Sequence, residues 1–306
     1  MVYGHPAVAV AIDQGVRVSV EESDVWKLEG SPFEPSRHPH ISHIIQNIFQ
    51  YSGPPLDIDV DSSLFSAAGM GSSAALSNAF GAAMFAYINP GEELDTVKLA
   101  KIAHSAEATA QKGRASPTDT ATSALGGCLV VSGSEEHGTR HVFDTSLETP
   151  EGSREWSINA VDMPLGIEGA WLVIGYSGIG SPTGRMVSKV AKLLSEVPER
   201  MDEMETIANI TRAGLAALSA GNLEGLGMAM DACHESLRKL EVSSDKLDQM
   251  VNAARPHSLG AKLTGAGGGG CMVSLTREPT RVSEAIEVAG GRPLISSLGA
   301  QGVRLL

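Results

Sequence analysis

Cysteines, aromatic residues and basic residues are all scarce in this sequence. Its three cysteines, Cys128, Cys233 and Cys271, lie far apart and form no CxxC pair, so neither a disulfide framework nor a zinc site is indicated. The 23 Lys and Arg are outnumbered by 36 Asp and Glu, and a net charge of −13 argues against a nucleic acid or an anionic membrane as partner. We therefore expect a protein of the reducing cytoplasm.

Long apolar runs are also missing. The most apolar stretch, roughly residues 74–88, is interrupted by Ser77, Asn78 and Gly81 and is too short to cross a membrane. The opening MVYGHPAVAVAI lacks the basic start of a signal peptide. The 306 residues, 42% of them hydrophobic, still provide enough material for two domains or one large one.

The order of predicted elements indicates an α+β protein in two halves, without the regular alternation of a doubly wound sheet. The polar stretch 145–156 is typical of a linker or a long surface loop. A short last strand is predicted at 302–306. The other predicted elements are strands within 7–20 and at 56–61, helices at 72–88 and 93–112, strands at 128–132, 140–143, 157–162 and 170–176, and helices at 184–195, 199–219, 222–239, 244–254 and 280–289.

The segment FSAAGMGSSAA, residues 65–75, joins glycines to the start of a predicted helix. Gly69 and Gly71 let the backbone approach a bulky ligand, and Ser72 and Ser73 open the helix, where unpaired N–H groups favour an anion. The hydroxyls can cap the helix, bind a phosphate or ligate Mg²⁺. Taken alone, the segment fits an ordinary glycine turn at least as well as a phosphate site.

Two other phosphate signatures are excluded. The chain has no GxxxxGK[ST], so it is not a P-loop NTPase. GMGSSA matches GxGxxA, but its helix leads into another helix instead of a second parallel strand, so the dinucleotide-binding interpretation fails.

A second glycine run, GAGGGG at 265–270, places five glycines in six positions. Such a run cannot form the core of a strand, and its backbone must lie close to another group. It predicts either a flexible hairpin connection or a loop that closes over the phosphates of a nucleotide or substrate.

Two acidic residues follow the first glycine segment. Asp119 lies in the constrained loop GRASPTD, residues 113–119, where a carboxylate can be fixed as a general base. Glu107, on the preceding helix, can offer Mg²⁺ a hard oxygen ligand. Taken singly, either acid is more typical of a solvated surface charge.

Three histidines in SRHPHISHII, at positions 38, 40 and 43, suggest a metal cluster at first sight. His40 and His43 can share a helical face, but no cysteine or carboxylate lies nearby in the sequence to complete a ligand set. Pro39 is typical of a helix start, so the metal interpretation is disfavoured.

Three motifs together resemble the GHMP kinase superfamily, and in particular its archaeal mevalonate kinases. VYGHPAVAVAI resembles the end of the family's first motif, FSAAGMGSSAA its phosphate loop PxxxGLGSSAA, and KLTGAGGGGC its third motif almost residue for residue. GRASPTDTATSALGG resembles the archaeal form of the loop that bears the catalytic aspartate. The resemblance spans nearly the whole chain in the same order.

The resemblance implies a role for each matching position. Asp119 would deprotonate the substrate hydroxyl as it attacks the γ-phosphate of ATP, and Ser73 and Glu107 would hold Mg²⁺ between the β- and γ-phosphates. Thr183 in SPTGRMV would contact the substrate, together with Gly265 and Gly267. The implied nucleotide-binding residues are Phe65, Ser66, Ala67, Ala68, Gly69, Met70, Gly71, Ser72, Ser73, Ala74 and Ala75.

The sequence also departs from the family pattern. Phe65 replaces the loop proline, Ala67 replaces a usual glycine, and the region 111–113 has one residue more than close relatives. The family pattern begins with a strand of the type APGKxxLFGEH, whose lysine helps to activate the hydroxyl, whereas the first lysine here is Lys27. We expect a start codon placed too far downstream, with an altered enzyme as the alternative.

The resemblance to GHMP kinases implies a two-domain α+β GHMP kinase fold. Residues 1–165 would form an ATP-binding domain of the ribosomal protein S5 domain 2-like type, and residues 166–306 a ferredoxin-like domain. The predicted reaction uses ATP and Mg²⁺ to convert (R)-mevalonate to 5-phosphomevalonate for isoprenoid synthesis, and family analogy suggests a homodimer. The alternatives are a phosphomevalonate kinase, a mevalonate 3-kinase, or a non-catalytic nucleotide-binding protein.

Overall fold

A computed structural model describes residues 5–65, 68–149, 152–163, 167, 169–181 and 183–306. The strands of these residues are β1 (Ala7–Val10), β2 (Val16–Glu22), β3 (Lys27–Leu28), β4 (Ser31–Pro32), β5 (Leu56–Ser62), β6 (Cys128–Ser132), β7 (Arg140–Thr149), β8 (Gly152–Val161), β9 (Trp171–Tyr176), β10 (Gly260–Leu263), β11 (Cys271–Thr276) and β12 (Arg292–Ser297). The α-helices are α1 (Pro39–His43), α2 (Ser72–Ile88), α3 (Thr96–Ala110), α4 (Thr118–Leu125), α5 (Thr183–Glu196), α6 (Met201–Ser219), α7 (Leu223–Lys239), α8 (Asp245–Ala254) and α9 (Pro279–Val288). A π-helical turn, Ile44–Ile48, continues α1, and 3₁₀ turns lie at Pro198–Arg200 and Arg255–His257.

The strands before residue 162 form two four-stranded sheets, in the orders β1-β6-β8-β7 and β2-β5-β3-β4. Side chains of β5 alternate in burial because successive residues of a strand point to opposite faces. Leu56 and Ile58 accordingly face a core with Phe80 and Met84 of α2, while Asp59 and its acidic neighbours face solvent. This core fixes α2 on the second sheet.

The strands after residue 170 form a third sheet, in the order β10-β11-β9-β12 with antiparallel neighbours throughout. Helices α5 to α8 connect β9 to β10, and α9 connects β11 to β12. Numbered along the chain, the order is 2-3-1-4, which is the predicted ferredoxin-like βαββαβ connection with extra helices. The domain boundary predicted at residues 165 and 166 lies outside the described residues and stays a prediction.

Two predictions about strands are wrong. The stretch 145–156 is not a loop, because it completes the long antiparallel pair of β7 and β8. Thr145 and Leu147 are half-buried while Ser146 between them is exposed. The hairpin is held by backbone pairing and buries few side chains, so its polar sequence does not show the apolar pattern of a strand. The last strand lies at Arg292–Ser297 and not at 302–306, and the preceding residue, Gln301, forms an isolated bridge to Gly126.

The C-terminal segment returns from the third sheet to the first half of the chain. The Ala300 N–H donates to Ala11 O at 3.0 Å, and the Gly127 N–H donates to Ala300 O at 2.9 Å. The Val303 N–H reaches the last turn of α4, at Ala124 O. The C-terminal segment therefore packs against the end of the helix whose first turn carries Asp119.

Within the described ranges, no helix is both long and apolar enough to cross a membrane.

Candidate active site

The first glycine segment leads into α2 in the predicted way. Gly69 and Gly71 have φ values of 71° and 70°, in the left-handed region that favours glycine, and Gly71 is the N-cap of α2. No described side chain caps this end of the helix, so the N–H groups of its first turn remain available for an anion. Of the predicted nucleotide-binding residues, Ser66 and Ala67 lie outside the described residues.

Asp119 lies beside this helix end. It belongs to the first turn of α4 and not to a loop, because α4 begins at Thr118 directly after Pro117. A Cβ atom placed on Gly71 would lie 3.2 Å from the Asp119 Cβ and 3.3 Å from its Cγ. The predicted base thus packs directly against the backbone at which the phosphate loop becomes a helix.

Replacing Gly71 with alanine is expected to lower kcat by about tenfold or more, because displacing a catalytic group by a fraction of an ångström is costly. The new methyl group would strain a left-handed residue and push against Asp119. Gly91→Ala is the matched control, because Gly91 has φ of 86° but nothing within 4 Å of its added Cβ. Steady-state kinetics of both variants would test the contact, and equal losses in both would contradict it.

Three polar side chains surround the Glu107 carboxylate of α3, one from the end of the same helix and two from other segments. Gln111 Nε2 donates to Glu107 Oε2 at 2.6 Å, His40 Nε2 lies 3.3 Å from Oε1, and the Ser73 side chain of α2 is close enough to help lower the pKa of the carboxyl group. The His40 contact has ion-pair distance without hydrogen-bond geometry, so Oε1 is buried without a hydrogen-bond partner among the described residues. The structure therefore brings the two predicted magnesium ligands together and leaves one carboxylate oxygen unsatisfied.

The two carboxyl groups experience opposite shifts. Burial alone would raise the pKa of Glu107, but the contacts with His40, Ser73 and Gln111 outweigh it and lower that pKa below its ordinary value. Burial raises the pKa of Asp119, and the negative charge of Glu107 adds to the increase. The Asp119 residue is nevertheless exposed to solvent, because it lines an open cleft. Solvent in the cleft therefore moderates the increase without reversing it.

Two buried polar residues stabilise α4 and the segment before it. The sequence patterns did not predict this role for either of them. Asn78 of α2, 1% exposed, donates from Nδ2 to Thr120 O at 2.9 Å and so joins the phosphate-loop helix to the Asp119 helix. His104 Nε2 lies 3.3 Å from Ala115 O, and its ring packs edge-on against Trp156. Burial lowers the pKa of His104, so a neutral ring with its proton on Nε2 can donate to the carbonyl.

The region 111–113, where the sequence is expected to have one residue more than the family pattern, forms the end of α3. Lys112 and Gly113 both have positive φ, at 54° and 83°, and the Gly113 N–H donates to Ala108 O at 2.7 Å. This is a typical left-handed helix end. It leaves Glu107 on the last full turns of α3, with Gln111 against its carboxylate.

The second glycine run closes against the first. A Cβ on Gly265 would lie 3.4 Å from Gly69 O, and one on Gly270 would lie 2.9 Å from Ala68 O. Gly267 is buried in a different environment, where an added Cβ would lie 2.0 Å from Val242 O. The Ser181 hydroxyl donates to Gly267 O at 2.8 Å. Packing of the loop therefore accounts for Gly267, while Gly265 borders the cleft.

The cleft at this junction has a volume of about 1600 Å³. Gly69, Gly71, Asp119 and Thr183 line it, and Thr183 is exposed at the start of α5. Its described cationic lining residues are Arg17, Lys262 and Arg304. Lys262 forms no ion pair within the described ranges and donates to Leu263 O at 2.7 Å, which leaves N–H groups for an anion.

The three histidines do not form a metal site. His43 contacts the Ser105 hydroxyl at 2.9 Å and the Thr109 hydroxyl at 3.1 Å, and His40 contacts Glu107. The ring of His38 stacks on Phe33. Over the part of the chain that the structure describes, no group of three His, Cys, Asp or Glu residues could hold a metal ion. The carboxylate and hydroxyl pair of Glu107 and Ser73 is smaller than such a group and would need oxygens from a ligand.

The chain is similar to known proteins in sequence and in fold. The family profiles described as GHMP kinases N terminal domain and GHMP kinases C terminal match residues 39–127 and 215–292. A mevalonate kinase of Pyrococcus furiosus is 28% identical over 100% of this chain and 93% of its own length, and one of Pyrococcus horikoshii is 33% identical over 82% and 68%. The crystal structure of L. major mevalonate kinase in complex with R-mevalonate superposes with a TM-score of 0.79 at 20% identity, covering 99% of this chain and 92% of that one. This last similarity establishes the shared fold.

Proposed function

The chain belongs to the GHMP kinase family, and we propose that it is a mevalonate kinase, which transfers the γ-phosphoryl group of ATP to the 5-hydroxyl of (R)-mevalonate. The observation that carries the proposal is the contact of Asp119 with Gly71 at the open end of α2. It places a carboxylate beside the site where phosphates would bind. The choice of mevalonate as the substrate is supported by relatives named mevalonate kinase, which align with most or all of this chain.

The residues of the cleft divide the work between positioning and proton transfer. Backbone N–H groups at Ser72 and Ser73 would bind the phosphates, and Thr183 and Gly265 would border the substrate. Asp119 would accept the proton of the attacking hydroxyl, for which an ionised carboxylate with a raised pKa is well suited. The free N–H groups of Lys262 would bind an anionic group of either ligand.

The chemistry of Ser73 and Glu107 fits Mg²⁺, which prefers carboxylate and hydroxyl oxygens together with phosphates. The buried Oε1 of Glu107, which lacks a hydrogen bond, is the atom that a cation would satisfy. When bound there, Mg²⁺ would neutralise charge on the β- and γ-phosphates. ATP as the phosphate donor follows from family membership, whereas the magnesium ligands are part of the proposal.

We also retain three predictions that concern the protein's setting. They are a division into two domains near residue 165, a homodimer by analogy with the family, and a reducing cytoplasm. The last is supported by Cys128, Cys233 and Cys271, which are all free thiols, two of them buried.

A coupled ATP assay with (R)-mevalonate and with 5-phosphomevalonate, followed by phosphorus NMR of the product, tests the function. We expect turnover with mevalonate and a phosphate on the 5-oxygen. Turnover with phosphomevalonate alone would instead indicate a phosphomevalonate kinase, and a product phosphorylated on the 3-oxygen a mevalonate 3-kinase. Nucleotide binding without turnover of either substrate would favour the non-catalytic alternative.

The pH dependence of kcat should report the raised pKa of Asp119. As the pH falls, a base with a raised pKa is protonated at a higher pH than an ordinary aspartate. The acidic limb of the kcat profile should therefore lie above pH 3.8, the ordinary pKa of an aspartate. ATP and the substrate also titrate, and the residual activity of Asp119→Asn provides their baseline. The raised limb should be absent from that baseline, and its persistence there would assign it to another group.

A further inference from the structure

Phe65, the first residue of the phosphate loop, is held between two residues of the third sheet. Its ring stacks on Tyr176 of β9 with centroids 5.3 Å apart and an interplanar angle of 21°. The Arg292 guanidinium of β12 lies 4.9 Å from the centroid of the same ring. Arg292 and Tyr176 are directly opposite each other on the neighbouring strands β12 and β9. We call Arg292, Phe65 and Tyr176 the interdomain stack.

The interdomain stack belongs to a larger contact between the loop and the third sheet. Phe65 and Met70, near the two ends of the loop, pack against the core that contains Leu172, Ile174 and Cys271. Between them, Ala68 is 2% exposed in the same core. Phe65, Ala68 and Met70 therefore belong by sequence to the first half of the chain and pack against the second.

We propose that the interdomain stack positions the phosphate loop for ATP, with Phe65 and Arg292 as positioning residues that act through the backbone of residues 68–71. This inference rests on the proposed function, because it assumes that the loop binds the nucleotide. Phe65 does not need to touch the nucleotide in this role. Its ring fixes the point from which the loop departs toward Gly69 and Gly71.

A physical reason for the stack follows from the residue type at position 65. A proline at this position would fix its own φ without any neighbour. Phenylalanine has no such restriction, so a loop that begins with Phe65 must be ordered by tertiary contacts. An arginine over one face of the ring and an aromatic stack supply two such contacts, and both come from the same strand pair.

Affinity for ATP, measured by calorimetric titration of ATP with magnesium chloride into each variant, tests the proposal. We expect Phe65→Leu and Arg292→Leu each to weaken binding by about fivefold, the scale of one cation–π or aromatic contact. Because the two residues contact each other, the double variant should lose little more than the worse single variant. Phe65→Tyr keeps the ring and should restore binding. Arg292 is exposed, so its replacement leaves the core intact.

Phe33→Leu and Lys101→Leu are the matched controls. Phe33 is half-buried and packs on Trp26, and Lys101 lies 5.1 Å from the Phe143 ring, both away from the lining of the cleft. These variants should bind ATP as the unaltered protein does, whatever their melting temperatures. Unchanged affinity in Phe65→Leu would overturn the proposal, as would an equal loss in Phe33→Leu or additive losses in the double variant. Failure of the unaltered protein to bind ATP would overturn it too, whereas binding without mevalonate turnover would refute only the proposed function.

Discussion

Asp119→Asn should lower kcat by about 10²- to 10⁴-fold, which is the range that a general base contributes. The amide has nearly the same shape as the carboxylate, so the packing against Gly71 should survive. It cannot accept the proton of the attacking hydroxyl at neutral pH. Affinity for ATP should not fall, because the proposed phosphate contacts are N–H groups of α2 and not the Asp119 side chain. Single-turnover kinetics with mevalonate, together with calorimetric titration of ATP, measures both quantities.

The control for this variant is Asp61→Asn, which removes another exposed carboxylate from the lining of the same cleft. Both changes alter the field in the cleft by one charge, and only Asp119 lies against the start of α2. Asp61→Asn should therefore retain kcat within about threefold, since exposed charges are strongly screened. Near-normal turnover of Asp119→Asn would remove Asp119 as the base. Equal losses in both variants would assign the effect to charge alone.

Local sequence patterns were sufficient for much of the fold. The helix predicted at 72–88 is α2, because a run of helix-forming residues is ended by Asn89-Pro90-Gly91. The glycine segments were recognised because Gly69, Gly71 and the run at 265–270 require left-handed or closely approached backbone. Both kinds of signal lie within a few residues of the feature they predict.

The errors occurred where distant contacts determine the structure. The β7–β8 hairpin is stabilised by pairing with a partner strand and not by a buried apolar face. Helix α4 has eight residues, and the sequence predicts a loop over its first two because Ser116, Pro117 and Thr118 resemble a turn. Its position depends on Asn78, 42 residues away, whose amide has no local pattern. A buried asparagine in an alanine-rich helix is the signal that could have suggested such a contact.

The candidate site shows the same division. The motifs predict Ser73, Glu107 and Asp119 as site residues, and in the structure all three lie near the start of α2. The motifs did not identify the residues that support them, because His40 belongs to a histidine group that resembles a metal cluster and His104 looks like an isolated histidine in the sequence. Support of this kind depends on which helices are neighbours, and the sequence pattern of one helix does not contain that information.

Glu107→Gln should raise the magnesium concentration needed for half-maximal activity by about tenfold or more, because a neutral amide is a weaker ligand for a hard cation. The lowered pKa of Glu107 keeps its carboxylate ionised at the pH of the assay. Glutamine preserves the shape of the side chain and can still accept a hydrogen bond from Gln111. A loss of magnesium affinity can therefore be separated from a loss of structure. Activity titrated with magnesium chloride at saturating ATP measures it.

Glu136→Gln is the matched control, because the Glu136 side chain is only 12% exposed and is paired with Arg212 outside the cleft. It should leave the magnesium dependence unchanged, even if the lost ion pair lowers the melting temperature. In Glu107→Gln, kcat at saturating magnesium should recover substantially, because Ser73 and the phosphates still offer oxygen ligands. A low kcat with an unchanged magnesium requirement would assign Glu107 a structural role with His40 and Gln111, and the buried Oε1 would then be an unsatisfied acceptor and not a cation ligand.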